Sequence, residues 1–332
     1  GGLGYDTDYT INPSTKVVIG VLYPGVYTLT QGKKTVYQVR DIVYVPYSRA
    51  IHTPEVVAWG KIVLDRLVNE ALGEIRAASV PSKAFPGRVL ADVADPVALK
   101  SIMAIEHMDH RSVGRGADDR LELFYVELAL NEDGAFRHEV SSAGANGLLQ
   151  FIPSTYASMV RRWPQLKLIP DFQAGTANLH NAVKAQIAYL DDVWLDLPAQ
   201  AKDPTVSSQE NMRAYLIAAY NTGGVRVRRA ITTWGQDGWD QDYAQEWQKL
   251  DAKQTELGRA IFQLKKKVAA EKKVATKKKL NDELTKIRAQ HTKVTADLEA
   301  LDRSRLKSET LGYLYKYRLI APRMKVVQVA TL

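Results

Sequence analysis

Two stretches of this chain combine residue types that could do chemistry on a polar substrate. The first covers residues 132–155 and contains a carboxyl group, Glu132, then a loop rich in glycine and serine, then an amide, Gln150. The second covers residues 212–231, where Tyr220 and Asn221 directly precede two glycines. A carboxyl group transfers protons, and the other side chains supply a ring for stacking and atoms for hydrogen bonds.

The position of Glu132 in its local pattern favours a role as a proton donor. Apolar residues recur before it at helical spacing and the pattern stops at Gly134, which is a typical helix C-cap. This predicts that Glu132 lies in the last turn of a mostly buried helix, against an apolar wall and near the negative end of the helix dipole. Both surroundings favour a neutral carboxyl group, which suits a general acid.

The residues around these two stretches predict how they are held. After the loop, burial is expected to resume at Leu148, Leu149, Phe151 and Ile152, and Pro153 is expected to open a new helix. A capped helix followed by an ordinary loop is the simpler interpretation of the first stretch. A helix that ends on left-handed glycines is the simpler interpretation of the second.

Composition excludes several classes of site. The 332 residues contain 45% hydrophobic residues, enough for one large domain with one or two smaller modules. Cysteine is absent, which excludes disulfides, thiolate zinc sites and cysteine nucleophiles. No apolar run is long enough to predict a transmembrane segment. The first residues lack the pattern of a signal peptide, so we interpret them as a mature or trimmed end, with any export signal or anchor lying upstream.

The positive charge is concentrated in one segment. The net charge is +8, and residues 251–280 contain ten Lys or Arg against three Asp or Glu, a surplus of seven. This segment lies within residues 243–305, where apolar residues recur at intervals of seven in two blocks whose register slips between Leu264 and Leu280. We therefore predict an antiparallel helical coiled-coil hairpin that bends near residues 270–279. A solvated charged face is the favoured interpretation, and no nucleic-acid partner is expected.

The remaining elements are predicted from turn and cap signals. Residues 16–45 contain β-rich runs separated at Pro24-Gly25 and at Gln31-Gly32-Lys33, which predicts a small antiparallel sheet of about three strands. Thr53-Pro54-Glu55 predicts the start of a helix that runs to about Ala77, and further helices follow. His107 and His110 lack a third ligand nearby, so no metal site is predicted.

Taken together, four sequence blocks resemble the lytic transglycosylases of the soluble lytic transglycosylase type, which have a lysozyme-like fold. The family pattern has a catalytic Glu at a helix end, then Ser before A-G-A-x-G-L-x-Q-x-x-P-x-T, then A-Y-N-x-G-x-x-R-V, then E-T-x-x-Y. Here it is met by Glu132, by Ser141 with residues 143–155, by residues 219–227 and by residues 309–313. Glu132 lies eighteen residues before Gln150, as the pattern requires.

The resemblance implies a reaction and a set of site residues. The substrate would be peptidoglycan glycan strands, cleaved at the β-1,4 bond between N-acetylmuramic acid and N-acetylglucosamine with a 1,6-anhydro product. Glu132 would act first as acid and then as base, and neither a metal nor a cofactor is implied. By family match, the substrate-binding residues would be Ser141, Gln150, Ile152, Tyr220, Asn221 and Glu309.

Departures from the family pattern keep alternatives open. Asp133 follows Glu132, where the family usually has Ser. The family also has an aromatic residue three positions after the acid, whereas Phe136 lies four positions after Glu132. Glu127 and Glu139 therefore remain alternative acids. A goose-type muramidase, in which water replaces the sugar hydroxyl, is one rival. A non-catalytic cell-wall or assembly scaffold is another, and it would use the N-terminal sheet or the basic hairpin to bind a protein partner.

The predicted architecture is α+β and mainly α. A small β-rich module would occupy residues 1–50 and a helical linker region residues 51–112. The lysozyme-like helical catalytic domain would cover residues 113–242 and 306–332, interrupted by the helical hairpin at 243–305. The expected location is the periplasm or the cell envelope.

Overall fold

A computed structural model describes residues 8–11, 18–31, 34–45, 47, 49–108, 117–137 and 139–324. The described chain is mainly helical. By internal contacts it divides into two compact units, Gly1–Asp191 with Lys316–Leu332, and Asp192–Tyr315. We call these the first and the second unit and describe each separately.

The first unit begins with three antiparallel strands in the order β1-β2-β3, which are Asp8–Ile11, Val18–Gln31 and Lys34–Tyr44. The turn predicted at Pro24-Gly25 is wrong, because β2 continues through both residues and Pro24 pairs with Asp41. β1 pairs only as far as Leu22. Beyond that point β2 has a described neighbour on one side only, which is where a strand tolerates a proline that cannot donate a hydrogen bond.

Thirteen α-helices follow in the described part of the chain. In order, α1 to α13 cover Pro54–Ala77, Leu90–Val93, Pro96–Glu106, Ala117–Asn131, Pro153–Arg162, Phe172–Ala177, Leu179–Asp196, Ala199–Lys202, Gln209–Thr222, Gly224–Gly238, Ala244–Ala270, Val274–Ser304 and Ser308–Ile320. Short 3-10 turns cover Glu132–Gly134, Pro164–Leu166 and Ala321–Arg323.

Helix α1 begins and ends where its sequence predicts. The side chain of Thr53 accepts a hydrogen bond from the Val56 N–H, Pro54 occupies the first turn, and the helix continues to Ala77. Its buried face packs against α4, and Gly60 is the closest point. A Cβ on Gly60 would overlap the backbone carbonyl of Tyr125 on α4, so only glycine allows this approach.

Helix α3 forms the centre of the first unit, and every residue from Val97 to Ile105 is buried. This stretch includes Lys100, whose Nζ lies 2.6 Å from Asp65 Oδ1 on α1. Gln186 on α7 donates to the Leu99 carbonyl at 3.1 Å, which ties a third helix to α3. Buried polar groups that are paired in this way fix the relative register of the three helices.

A surface ion cluster also joins α1 to α7. Glu74 lies 3.0 Å from His180 Nε2 and 3.0 Å from Lys184 Nζ. Hydrogen bonding from His180 and then from Lys184 lowers the pKa of Glu74 below its ordinary value. A carboxylate with a lowered folded-state pKa stabilises the fold above its unfolded pKa and loses that effect as the pH falls through the folded value.

We therefore expect Glu74→Gln to reduce the free energy of unfolding at pH 6 by less than about 1 kcal/mol, because the cluster is exposed. The difference from the unsubstituted protein should shrink as the pH falls through the folded-state pKa of Glu74, which lies below its ordinary value, because the carboxylate then becomes protonated. Denaturant unfolding over a series of acidic pH values measures it. A difference that stays constant as the pH falls would contradict the ion-pair explanation.

In the second unit, α11 and α12 form a helical hairpin. They pack along each other, and residues 271–273 connect them, inside the predicted bend. Gln254 donates to Thr295 Oγ1 at 2.9 Å, and Gly258 faces His291, so the two helices run antiparallel. The leucines that bury on this pattern are Leu257, Leu264, Leu284 and Leu301.

The base of this hairpin is closed by Arg226 of α10. Its guanidinium donates to the carbonyls of Asp302 at 2.8 Å and Arg305 at 3.2 Å. These carbonyls lie at the C-terminal end of α12, where helix carbonyls lack partners within the helix and attract cations. Arg226 is the arginine of the A-Y-N-x-G-x-x-R-V block, so this residue has a structural task.

Within the described residues, no helix has the length and apolar character that a bilayer crossing requires.

Candidate active site

Glu132 lies at the end of α4, but not in the surroundings that its sequence predicts. The α-helix ends at Asn131, and Glu132 begins the 3-10 turn that follows. Its side chain is 48% exposed, so the expectation of a mostly buried apolar wall is wrong. The turn that ends α4 directs the residue to the surface, whereas Leu121, Phe124 and Leu128 of α4 itself are buried.

Helix α1 supplies the polar groups next to this carboxyl group. Trp59 Nε1 donates to Glu132 Oε1 at 3.3 Å, and an Arg66 guanidinium nitrogen lies 3.7 Å from Glu132 Oε2. Trp59 and Arg66 are seven residues apart, which places them on the same face of the helix. Neither residue was predicted for the site. The sequence signal that marks this face is a set of residues at spacings of three and four: Trp59, Ile62, Arg66 and Glu70. In the structure, Trp59 and Ile62 are exposed.

Backbone strain is concentrated around the candidate acid. Glu132, Phe136 and Gln150 have φ values of +41°, +57° and +47°, in the left-handed region that side chains other than glycine rarely adopt. Each such residue costs on the order of 1–3 kcal/mol and persists only where its surroundings impose it. Strain of this kind is typical of functional sites, so it supports the choice of this segment.

The loop between the acid and α5 is held by hydrogen bonds within itself. Ser141 Oγ accepts from the Ala145 N–H at 3.0 Å, and Gln150 Nε2 donates to the Gly147 carbonyl at 2.9 Å. The backbone N–H of Gly147 donates to the Glu139 carbonyl at 3.0 Å. Gly147 has a φ of +72°, and a Cβ there would crowd the Thr176 carbonyl, so glycine is required. Ser141 and Gln150 therefore shape the loop, whatever else they contact.

Burial after the loop is confirmed for Leu148, Leu149 and Phe151 but not for Ile152. Ile152 is 42% exposed, because it precedes the first turn of α5 and its side chain lies outside the helix packing. An exposed isoleucine is compatible with the substrate-binding role that the family match implies. The roles of Ser141, Gln150 and Ile152 stay predictions.

A cavity of about 1100 Å³ opens next to Glu132. Glu132 does not line it, but the two residues that follow it and Arg66 do. Three segments form its walls, which are α1, residues 133–146 and residues 169–180. Asn146 lies at the edge of the cavity and is only 7% exposed. Its Nδ2 donates to Thr176 Oγ1, whereas its Oδ1 has no hydrogen-bond partner among the described residues.

Tyr156 supports the far wall of this cavity. Its hydroxyl donates to the Ile169 carbonyl at 2.6 Å and accepts from Asn181 Nδ2 at 2.7 Å. Burial raises the pKa of the Tyr156 phenol above its ordinary value, so the phenol stays neutral and remains a donor at neutral pH. The Tyr156 side chain therefore holds the cavity wall that contains Ile169 in place.

The alternative acids Glu127 and Glu139 line a second cavity, of about 470 Å³. Glu139 Oε2 lies 2.6 Å from His107 Nδ1, and His107 Nε2 lies 2.8 Å from the Leu148 carbonyl. A carbonyl only accepts, so His107 donates to it through Nε2, and Nδ1 faces the Glu139 carboxyl group. This fixed pair holds the loop to the end of α3, which favours a structural task for Glu139.

His110 lies outside the described residues, and the described part of the chain contains no cluster that could hold a metal ion.

In the second unit the third and fourth sequence blocks meet. Tyr220 and Asn221 lie in the last turn of α9, and Glu309 lies exposed in the first turn of α13. Thr310 Oγ1 donates to Asn221 Oδ1 at 2.8 Å, although the two residues are 89 positions apart. The α11–α12 hairpin therefore interrupts the sequence between two blocks that are neighbours in space.

Comparison with protein families matches residues 122–241 to the Transglycosylase SLT domain. This segment of the chain is therefore similar to an SLT domain. The match supports a lytic transglycosylase-type activity on peptidoglycan, and it fits the mainly helical fold. Comparisons with curated proteins and with solved structures give no match.

The matched SLT segment includes Glu132 and both alternative acids, Glu127 and Glu139. It ends before the helical hairpin and before Glu309, and it begins after α1. The two α1 residues that contact Glu132 are thus an addition to the SLT segment. The boundaries predicted for the catalytic domain stay a prediction.

Proposed function

We propose that this protein is a lytic transglycosylase that cleaves the β-1,4 bond between N-acetylmuramic acid and N-acetylglucosamine in peptidoglycan. The observation that carries the proposal is the position of Glu132. Within the SLT segment it is the carboxyl group that combines a helix end, a strained backbone and an opening beside a large cavity. Its exposure leaves the carboxyl group accessible to a polymer.

The reaction needs only one protein carboxyl group. Protonated Glu132 gives its proton to the glycosidic oxygen, the C1–O bond breaks, and N-acetylglucosamine leaves. The carbonyl oxygen of the 2-acetamido group stabilises the positive charge at C1. The Glu132 carboxylate then takes the proton from the 6-hydroxyl, and O6 bonds to C1. No water is consumed, and the product ends in a 1,6-anhydro ring. This is the substrate-assisted exception to the two-carboxylate rule.

Two contacts from α1 support this role for Glu132. The Trp59 N–H and the Arg66 guanidinium approach different oxygens of the carboxyl group and so limit its rotation. A positioned acid that is pre-aligned with the scissile oxygen loses less entropy in the transition state. Ser141, Gln150, Ile152, Tyr220, Asn221 and Glu309 are proposed to bind the glycan strand.

The products of digestion test the proposal. Purified sacculi incubated with the protein should release muropeptides that end in anhydro sugars, each one water lighter than the corresponding reducing-end product. Mass spectrometry with and without borohydride reduction distinguishes the two, because only reducing ends gain hydrogen. Reducing ends would instead identify a goose-type muramidase.

A non-catalytic scaffold is the second candidate, and the helical hairpin favours it. Its tip has exposed lysines and an exposed apolar residue, Val274, which is 85% exposed. A protein partner would bind this tip or the N-terminal sheet. Absence of any cleavage, together with specific retention of a partner by the intact protein but not by one lacking residues 265–279, would support this candidate. On either proposal we place the protein in the cell envelope.

A further inference from the structure

The positive charge of the helical hairpin is concentrated at its tip. We call residues 265–279 the hairpin tip; they contain eight lysines and one acidic residue, a surplus of seven against a net charge of +8 for the whole chain. The stems carry mixed charge, with three acidic and three basic residues at 244–264 and five acidic and four basic residues at 280–304. Charge that serves solubility alone is normally interspersed with the opposite sign, so the tip indicates an anionic partner.

The lysines of the hairpin tip are not neutralised within the protein. All eight are exposed, and none has an ion pair among the residues that the structure describes. In the stems, by contrast, Arg303 pairs with Glu299 at 2.6 Å. The one acid of the tip, Glu271, accepts a hydrogen bond from the Lys273 backbone N–H at 2.7 Å, so it holds the bend of the chain. Crowded like charges repel, and an anionic surface would relieve that repulsion.

An apolar side chain lies between two lysine groups of the tip. Val274 begins α12 and is 85% exposed. Lysines occupy positions 272–273 directly before it and 277–279 after it. Segments that bind at a membrane interface combine apolar side chains, which enter the boundary between headgroups and acyl chains, with lysines whose long stems reach the phosphates. The hairpin tip provides both.

The hairpin holds this tip away from its base. α12 runs from Val274 at the tip to Ser304 at the base, and Arg226 of α10 binds the carbonyls of Asp302 and Arg305. At 1.5 Å per residue, the tip lies about 40 Å along α12 from this anchor. A flat surface can therefore touch the tip without touching the base of the hairpin.

We infer that the hairpin tip binds the surface of a membrane that contains anionic lipids. Clusters of roughly four to eight lysines or arginines bind such surfaces, and each residue near the surface adds about fivefold to the binding constant. The ammonium group of lysine is a point charge on a flexible stem, so it can follow headgroups that diffuse laterally. This inference does not depend on the reaction proposed for Glu132.

The composition of the tip disfavours nucleic acid and protein as its partner. The tip contains no aromatic residue and no arginine. Single-stranded nucleic acid stacks its bases on aromatic rings, and the nearest aromatic residue along α11, Phe262, has the Lys266 ammonium group 4.5 Å from its ring centroid. Protein interfaces depend on buried aromatic and arginine anchors. A bilayer surface needs neither.

Sedimentation of the full-length protein with lipid vesicles tests the inference. Vesicles of phosphatidylcholine that contain about one third phosphatidylglycerol are compared with vesicles of phosphatidylcholine alone, at about 0.1 M salt. The anionic vesicles should bind the protein at least tenfold more tightly than the neutral ones. Binding to the anionic vesicles should weaken at least tenfold at about 0.5 M salt, because salt screens exposed charges.

Two triple variants with the same change of charge locate the binding surface. The tip variant removes three exposed lysines, through Lys277→Gln, Lys278→Gln and Lys279→Gln. The stem variant removes three exposed basic residues further along α12, through Lys286→Gln, Arg288→Gln and Lys293→Gln. The tip variant should lose at least tenfold in binding to anionic vesicles, whereas the stem variant should stay within about threefold of the unsubstituted protein. Thermal unfolding of both variants checks that the fold is retained.

Three results would overturn the inference. The first is no binding to anionic vesicles, or equal binding to anionic and neutral vesicles. The second is an equal loss of binding in the tip and stem variants. The third is binding of a labelled oligonucleotide, measured by fluorescence anisotropy, that is as tight as vesicle binding and is lost in the tip variant, which would identify nucleic acid as the partner.

Cleavage of sacculi by the tip variant separates this inference from the proposed function. The tip supplies no residue to the proposed chemistry, so the tip variant should release anhydro products from purified sacculi at the same rate as the unsubstituted protein. Vesicle binding without any cleavage of sacculi would sustain the inference and refute the proposed function. Cleavage without vesicle binding would do the reverse.

Discussion

Replacement of Glu132 by glutamine should reduce the clearing of purified sacculi by about 10³-fold or more. A general acid contributes about 10²–10⁴-fold, and Glu132 is proposed to act both as the acid and as the base of one reaction. Glutamine has nearly the same shape, and its amide can still accept a hydrogen bond from Trp59, but it cannot transfer a proton. Turbidity loss, with quantification of anhydro ends by mass spectrometry, measures the effect.

Two isosteric substitutions in the same segment provide matched controls. Glu127→Gln and Glu139→Gln remove the other candidate carboxyl groups, and both should retain activity within about tenfold. Glu139→Gln should instead lower stability by about 1 kcal/mol, because it weakens the hydrogen bond to His107. Should either control lose activity while Glu132→Gln retains it, the assignment of the acid would move to that residue.

Unfolding measurements distinguish a loss of catalysis in Glu132→Gln from a loss of folding. The Glu132 side chain is exposed, and its contacts with α1 are weak, so Glu132→Gln should have the same unfolding midpoint as the unsubstituted protein. An inactive variant with a normal midpoint would identify a chemical role. A large loss of stability would show that the carboxyl group is structural.

The elements of the fold that follow from adjacent residues could be predicted from the sequence. Thr53 and Pro54 begin α1 because an N-cap side chain and a proline act on the residues next to them. The bend of the hairpin at residues 271–273 falls where the heptad register slips, and that slip is visible in the sequence. For the start of α1, the interaction that decides the structure joins residues within about one turn of each other.

The surroundings of Glu132 could not be predicted, because they come from residues 66 and 73 positions away. The residues that directly precede Glu132 form α4, and their sequence gives no sign that Trp59 and Arg66 of α1 would contact the carboxyl group. Long-range packing likewise decides the strand that passes through Pro24. The hydrogen bond between Thr310 and Asn221 is similar, since the order of the blocks along the chain does not state which of them touch.

The approach of α1 to α4 at Gly60 leads to the second large prediction. A Cβ at this position would overlap the carbonyl oxygen, the carbonyl carbon and the Cα of Tyr125, which are all backbone atoms and cannot rotate away. We expect Gly60→Ala to lower the free energy of unfolding by at least about 2 kcal/mol, because α1 must move off α4. Denaturant unfolding followed by far-ultraviolet circular dichroism measures this loss.

Gly73 provides a matched control in the same helix. Nothing lies within 4 Å of a Cβ at Gly73, so Gly73→Ala should raise stability by about 0.5–1 kcal/mol through helix propensity alone. The same propensity gain is present in Gly60→Ala, so the difference between the two variants isolates the cost of the overlap. Two variants of equal stability would contradict the close packing of α1 on α4.

Activity of the Gly60→Ala protein then connects this packing to the site. Trp59 is adjacent to Gly60, and Arg66 follows within two turns, so a displacement of α1 carries both side chains away from Glu132. Under conditions where the variant is folded, we expect cleavage of sacculi to fall about tenfold or more, since misplacement of a positioning group by about 1 Å can cost about 10² in rate. Full activity in a destabilised but folded variant would mean that Trp59 and Arg66 stabilise the structure without positioning the acid.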